Sequence, residues 1–103
     1  MEKKVIILTG ASSGIGYQTA EMLARQGHIV YGAARRVEKM DALKQFGVKT
    51  LQMDVTIEES VDKAVKAIIA AEGRIDVLVN NAGYGIFEEF DQITNEQIHA
   101  MFE

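Results

Sequence analysis

Thr9-Gly10-Ala11-Ser12-Ser13-Gly14-Ile15-Gly16 is the stretch that decides the fold. Ahead of it, residues 5–8 (Val-Ile-Ile-Leu) form a continuous β-favouring apolar run, the pattern of a strand buried on both faces. Behind it, residues 15–26 place Ile15, Ala20, Met22 and Leu23 on one side of a helix, and Gly27 stands where a left-handed C-terminal cap is wanted. A glycine-rich turn from a buried strand into a helix presents helix N-terminal amides to a phosphate-bearing ligand. Gly10 permits the sharp turn, Gly14 leaves the backbone open to a pyrophosphate, and Gly16 lets the helix pack tightly on the strand. Ser12 and Ser13 add hydroxyl donors, and Ile15, where the helix starts, is counted with the residues facing that ligand. No Lys-Ser or Lys-Thr follows the glycines, which excludes a P-loop. The plain alternative is an ordinary tight turn.

Outward from this loop, strand and helix patterns alternate. Residues 29–33 read as a second strand, 37–46 as a helix with Met40 and Leu43 inward and Gly47 closing it, and 48–53 as a third strand. Thr56 and Glu59 have capping-box spacing before a helix whose inner stripe is Val61, Ala64, Val65, Ile68 and Ile69, ended by Gly73. Residues 77–79 read as a fourth strand, 80–91 as a loop, and Thr94 with Gln97 as a second capping box opening a last helix. Such alternation means βαβ units, hence a parallel sheet with right-handed crossovers. No linker, repeat or biased tract interrupts it.

The composition agrees with one small domain. The chain has 103 residues, 48% of them hydrophobic and 25% charged, with no cysteine and no proline. That is enough apolar material to fold, and it offers neither a disulfide framework nor a thiolate metal site. A net charge of −4 argues against a general nucleic-acid binder. No apolar run approaches the roughly 18 residues of a membrane span, and the start is too short for a secretory signal, so the expected location is cytoplasmic. His28 and His99 lack ligand spacing, so no metal site is expected. Glu88, Glu89 and Asp91 read as solvated loop charges.

Three residues separate Gly10 from Gly14, unlike the commoner G-x-G-x-x-G. Thr-Gly-x-x-x-Gly-x-Gly resembles the cofactor loop of the short-chain dehydrogenase/reductase family, and Asn80-Asn81-Ala82-Gly83, directly after the fourth strand, resembles its Asn-Asn-Ala-Gly element. The resemblance covers essentially the whole chain. It implies an α/β fold of Rossmann type, a doubly wound parallel sheet built β-α-β-α-β-α-β-α in the order 3-2-1-4. It further implies that Asn81, Ala82 and Gly83 brace the sheet and lie along the adenosine side of a nicotinamide cofactor, with Tyr84 bordering the nicotinamide pocket.

The second strand ends at Ala34, where an enzyme selective for NAD would place an acidic residue on the ribose 2′-hydroxyl. Arg35 and Arg36 follow, and a guanidinium pairs well with a phosphate. NADP is therefore expected rather than NAD, with Arg35 on the 2′-phosphate and Arg36 flanking it or stacking on the adenine; one of the two as a mere surface charge is the alternative. Asp54 and Val55 resemble the family's adenine contact, Asp54 otherwise being a helix-entry residue.

The family's chemistry also needs a Tyr-x-x-x-Lys pair, a serine and an asparagine. Tyr17, Tyr31 and Tyr84 are followed four places on by Glu21, Arg35 and Glu88, so no catalytic residue is assigned. Residues 94–103 read as a helix still running at Glu103. The chain is accordingly expected to be the N-terminal cofactor-binding part of a larger oxidoreductase acting on a small-molecule carbonyl or secondary alcohol, hydrophobic ones above all. A catalytically inactive nucleotide-binding or interaction module, complete at 103 residues, is the other hypothesis. In the order 3-2-1-4 the fourth strand would be a bare apolar edge, which predicts that these residues alone self-associate through it or are poorly soluble; the whole protein is expected to be a homo-oligomer.

Overall fold

Successive residues of a strand point to opposite faces of its sheet, and β1 (Val5–Thr9) is buried along its whole length. In this computed structural model, which describes residues 3–12, 14–80 and, for the backbone alone, 86–89, each face of β1 meets its own core. Val5 and Ile7 join Tyr31, Val61, Val65, Ile68 and Leu78 on one side. Ile6 and Leu8 join Ala20, Val30, Met40, Leu43 and Val79 on the other. A sheet with a core on both faces is doubly wound: α1 (Gly14–Arg25) and a 3-10 helix (Val37–Phe46) cover one side and α2 (Glu58–Glu72) the other.

The remaining strands are β2 (Ile29–Ala34), β3 (Lys49–Gln52), β4 (Val77–Asn80) and β5 (Ile86–Glu89). They are ordered β3-β2-β1-β4-β5. The first four are parallel, as the motif order implied, with Thr9 opposite Ala33, Ala34 opposite Gln52 and Leu8 opposite Val79. Two expectations fail at the far side. Residues 80–91 were expected as a loop, yet 86–89 form a strand; and β4, expected as a bare edge, is covered because β5 pairs with it antiparallel, Val79 opposite Phe87. The unsatisfied amides and carbonyls of an apolar edge are what an adjacent extended segment can pair with, so the basis for predicting self-association through β4 is removed. The helix expected to open at Thr94 lies outside the described residues.

Two local readings change: the helix expected at 37–46 is present and gains its type, and one expected cap is corrected. Val37, Met40, Leu43 and Phe46 recur at every third residue, and the segment takes the 3-10 form, whose period of about three residues per turn stacks all four on one face. Gly47 closes it at φ +89°, its N–H donating to the carbonyls of Leu43 and Lys44. The corrected cap concerns Thr56, which does not cap α2. Its N–H and its hydroxyl both donate to Asp54 Oδ1, at 2.9 and 2.6 Å, and the N-cap is Ile57, which makes no side-chain cap bond. Ser60 instead reaches back, its Oγ accepting the N–H of Asp54 at 2.9 Å.

Polar anchors fix the end of the sheet away from the glycine loop. The Tyr31 hydroxyl donates to Glu72 Oε2 at 2.6 Å and Lys49 Nζ donates to the same oxygen at 2.9 Å, tying the last turn of α2 to β2 and β3. Just before β2, His28 Nδ1 accepts the N–H of Lys4 at 3.1 Å. Asp76, buried, accepts the N–H of Val5 at 2.8 Å and the Arg74 guanidinium at 2.9 Å. Burial opposes its ionisation, but the Val5 N–H and Arg74 outweigh it and hold the carboxyl below its ordinary value. A carboxylate with a lowered folded value adds stability that is complete above the ordinary range near pH 4 and drains as the pH falls below it. Asp76→Asn, which can still accept from Val5 but can neither titrate nor pair with Arg74, should unfold at lower urea concentration at pH 7 and lose less stability between pH 5 and 3. A deficit constant across that interval would take the pH dependence away from Asp76.

Candidate functional site

Because β1 to β4 are parallel, their C-terminal ends lie along one margin of the sheet, and those sequence-predicted residues that are described follow these strand ends. The glycine loop leaves β1 with Gly10 at φ +66° and enters α1 with Gly14 at φ +59°. An L side chain in that conformation is strained, which is why glycine occupies both positions. A Cβ built on Gly14 would meet nothing within 4 Å. Among the described residues nothing therefore covers Gly14; Gly14 and Ile15 are exposed, the latter at 75%, and the first turn of α1 carries no acidic side chain. Uncovered amides at the positive end of a helix suit an anionic group. Ala11 anchors the loop, its N–H donating to the Ala33 carbonyl at 3.4 Å, and Gly16 is buried. Ser12 lies in the turn, half-buried; Ser13 is outside the described residues.

The end of β2 delivers Arg35 and Arg36, both exposed. None of the ion pairs among the described residues uses either guanidinium. The neighbouring turn is fastened to them: Met53 N–H donates to the Ala34 carbonyl at 2.9 Å, and Gln52 Nε2 contacts the Arg35 carbonyl at 3.5 Å. Asp54 and Val55 follow, half-buried. The two Thr56 hydrogen bonds, from side chain and then backbone, together with nearby Arg35, hold the Asp54 carboxyl below its ordinary value. Asp54 thus does serve the entry to α2, and its Oδ2 has no hydrogen bond among those described.

At the β1–β4 margin the buried Thr9 hydroxyl donates to Asn80 Oδ1 at 3.1 Å. This bond ties the glycine loop to the start of the Asn-Asn-Ala-Gly element. Both residues were quoted in motifs, but nothing in the sequence pairs them. Asn81, Ala82, Gly83 and Tyr84 lie outside the described residues. Of the three tyrosines, Tyr31 is committed to Glu72 at the opposite end of the sheet.

A doubly wound parallel sheet with an open glycine turn at the head of its first helix defines a dinucleotide-binding protein. The sequence profile of the short chain dehydrogenase family matches residues 4–103, and the chain belongs to that family. It is 46% identical, over 95% of its length, to a 3-ketodihydrosphingosine reductase of Bacteroides thetaiotaomicron, of which it spans 35%. Among solved structures it is similar to a metagenomic short-chain oxidoreductase in complex with NADP (TM-score 0.74, 36% identity, 79% of this chain and 39% of that one). It is also similar to L-sorbose reductase from Gluconobacter frateurii, complexed with NADPH and L-sorbose (TM-score 0.70, 36% identity, 95% of this chain and 41% of that one). No helix among the described residues is long and apolar enough to cross a membrane.

Proposed function

We propose that these residues form the cofactor-binding part of an NADP-dependent oxidoreductase that moves a hydride between the nicotinamide and a small-molecule carbonyl or secondary alcohol. The observation that carries the preference is Ala34 followed by two arginines whose guanidinium groups enter no ion pair among the described residues, where selectivity for NAD would place an acid. The bound dinucleotide supplies or accepts the hydride. This chain's residues hold it: the glycine loop and the α1 amides take the pyrophosphate, Arg35 the 2′-phosphate, and Arg36 flanks the adenine. Asp54 and Val55 receive the adenine edge, and Asn81, Ala82 and Gly83 lie beside the adenosine. The 103 residues contain no Tyr-x-x-x-Lys pair, so cofactor binding is the part of the reaction assigned to them.

For the substrate we propose a hydrophobic ketone or its alcohol, in keeping with the keto-lipid named in the Bacteroides relative. The test of the cofactor preference is titration of the full-length protein with NADPH and NADH, followed by fluorescence. NADPH should bind about tenfold tighter or more, the scale of one charge-assisted phosphate contact. Equal affinities, or tighter NADH, would refute the preference.

A further inference from the structure

A cavity of about 640 Å³ lies between β3, the outermost strand on its side, and α2, and reaches Arg35 at the end of β2. Two cations line it, Arg35 and Lys63, together with the polar Gln52 and Ser60. Two carboxylates line it as well, and they differ in their commitments. Asp54 already takes two hydrogen bonds from Thr56. Glu59 stands one turn before Lys63 on α2, yet no ion pair among the described residues joins them. Lys63 borders this cavity, and also a smaller hollow shared with Glu59, Asp62 and Lys66, without entering an ion pair among the described residues.

The direction of α2 matters here. Its N-terminus follows the Asp54 turn, so the helix starts at the margin where the strands end. Side chains on a helix lean back toward its N-terminus, which directs the Lys63 stem toward the Arg35 end of the cavity. A phosphate dianion has more acceptor positions than one guanidinium can fill; a planar fork on one side leaves oxygens for a point charge on another.

We propose that Lys63 is a second cation for the adenosine 2′-phosphate, acting with Arg35 across this cavity and adding to the selectivity for NADP. The inference rests on the NADP assignment above. It adds a residue that no motif marks, 28 positions beyond Arg35 (63 − 35) and on a different element.

The test uses the full-length protein and two fragments that need no catalysis, adenosine 2′,5′-bisphosphate and AMP, titrated by calorimetry. Lys63→Gln should weaken the bisphosphate about 3- to 10-fold, the range for a partly solvated charge pair with phosphate, and leave AMP unchanged. Lys63→Arg should restore most of the loss. Lys63 is exposed, so far-ultraviolet circular dichroism should be the same for all three proteins. If Lys63→Gln leaves the bisphosphate unaffected while Arg35→Ala weakens it, Lys63 has no part and the NADP assignment stands. Equal loss for both fragments would make the effect structural and overturn the proposal. If the unaltered protein does not distinguish the fragments, the NADP assignment fails and this inference with it.

Discussion

Arg35→Asp should lower the affinity for NADPH by about 100-fold or more while NADH stays within a few-fold, because a charge-assisted phosphate contact is lost and a like charge is set against the 2′-phosphate. The Arg35 side chain is exposed and enters no ion pair among the described residues, so its removal leaves no buried group among them without a partner. The fold around it is held by others: Met53 N–H stays on the Ala34 carbonyl, and Gln52 approaches the Arg35 carbonyl, which the substitution keeps. NADH carries a 2′-hydroxyl and no 2′-phosphate, so it neither loses the contact nor gains the repulsion, and its affinity should change little. Direct titration of both cofactors decides the matter. Equal losses for the two would remove Arg35 from the role assigned to it.

Gly32→Val should lower stability and cofactor affinity together. Gly32 sits within β2, and a Cβ there would lie 3.1 Å from Ala11 Cβ, 3.4 Å from Met40 Sδ and 3.4 Å from Val48 Cγ1. Met40 is unbranched and can give way, but Ala11 is part of the glycine loop and is bonded to the Ala33 carbonyl. Valine adds two further carbons in this space. Overpacking of this kind costs about 1–3 kcal/mol, and here the atom in the way belongs to the ligand loop. Urea unfolding should show the loss in stability, and titration under conditions where the variant is fully folded should show weaker NADPH binding. Full affinity in the folded variant would show that the loop absorbs the added volume without moving.

The parts of this architecture that were legible in the sequence are those encoded over a few neighbouring residues. Val5, Ile6, Ile7 and Leu8 announce a strand buried on two faces, and the two core clusters divide them alternately. Gly27, read as a left-handed cap, adopts φ +94°, and Gly10, read as a sharp turn, adopts φ +66°. The period of three in Val37, Met40, Leu43 and Phe46 was also present, yet a helix was inferred without its type. Apolar spacing of three suits one side of a short α-helix nearly as well, and only packing against α1 and the sheet selects the tighter winding.

Other features had no local signature at all. Thr9 and Asn80 are 71 positions apart, and their hydrogen bond exists because β1 and β4 are neighbours in the sheet. Gly32 looks like a weak point in a strand until Ala11 is found 3.1 Å from its missing side chain. The covered edge of β4 depends on a short segment whose strand character comes from its partner. Lys63 is one exposed lysine of a helix until the cavity it shares with Arg35 is known.

By itself, then, the sequence determined the doubly wound parallel fold, the glycine loop and the basic end of β2, because backbone conformation, hydrophobic period and charge are written residue by residue. The tertiary structure alone decided which distant groups come together: Asn80 with Thr9, Ala11 against Gly32, Lys63 and Arg35 in the lining of one cavity. Those meetings depend on strand order and register, and the burial of many apolar side chains at once sets both.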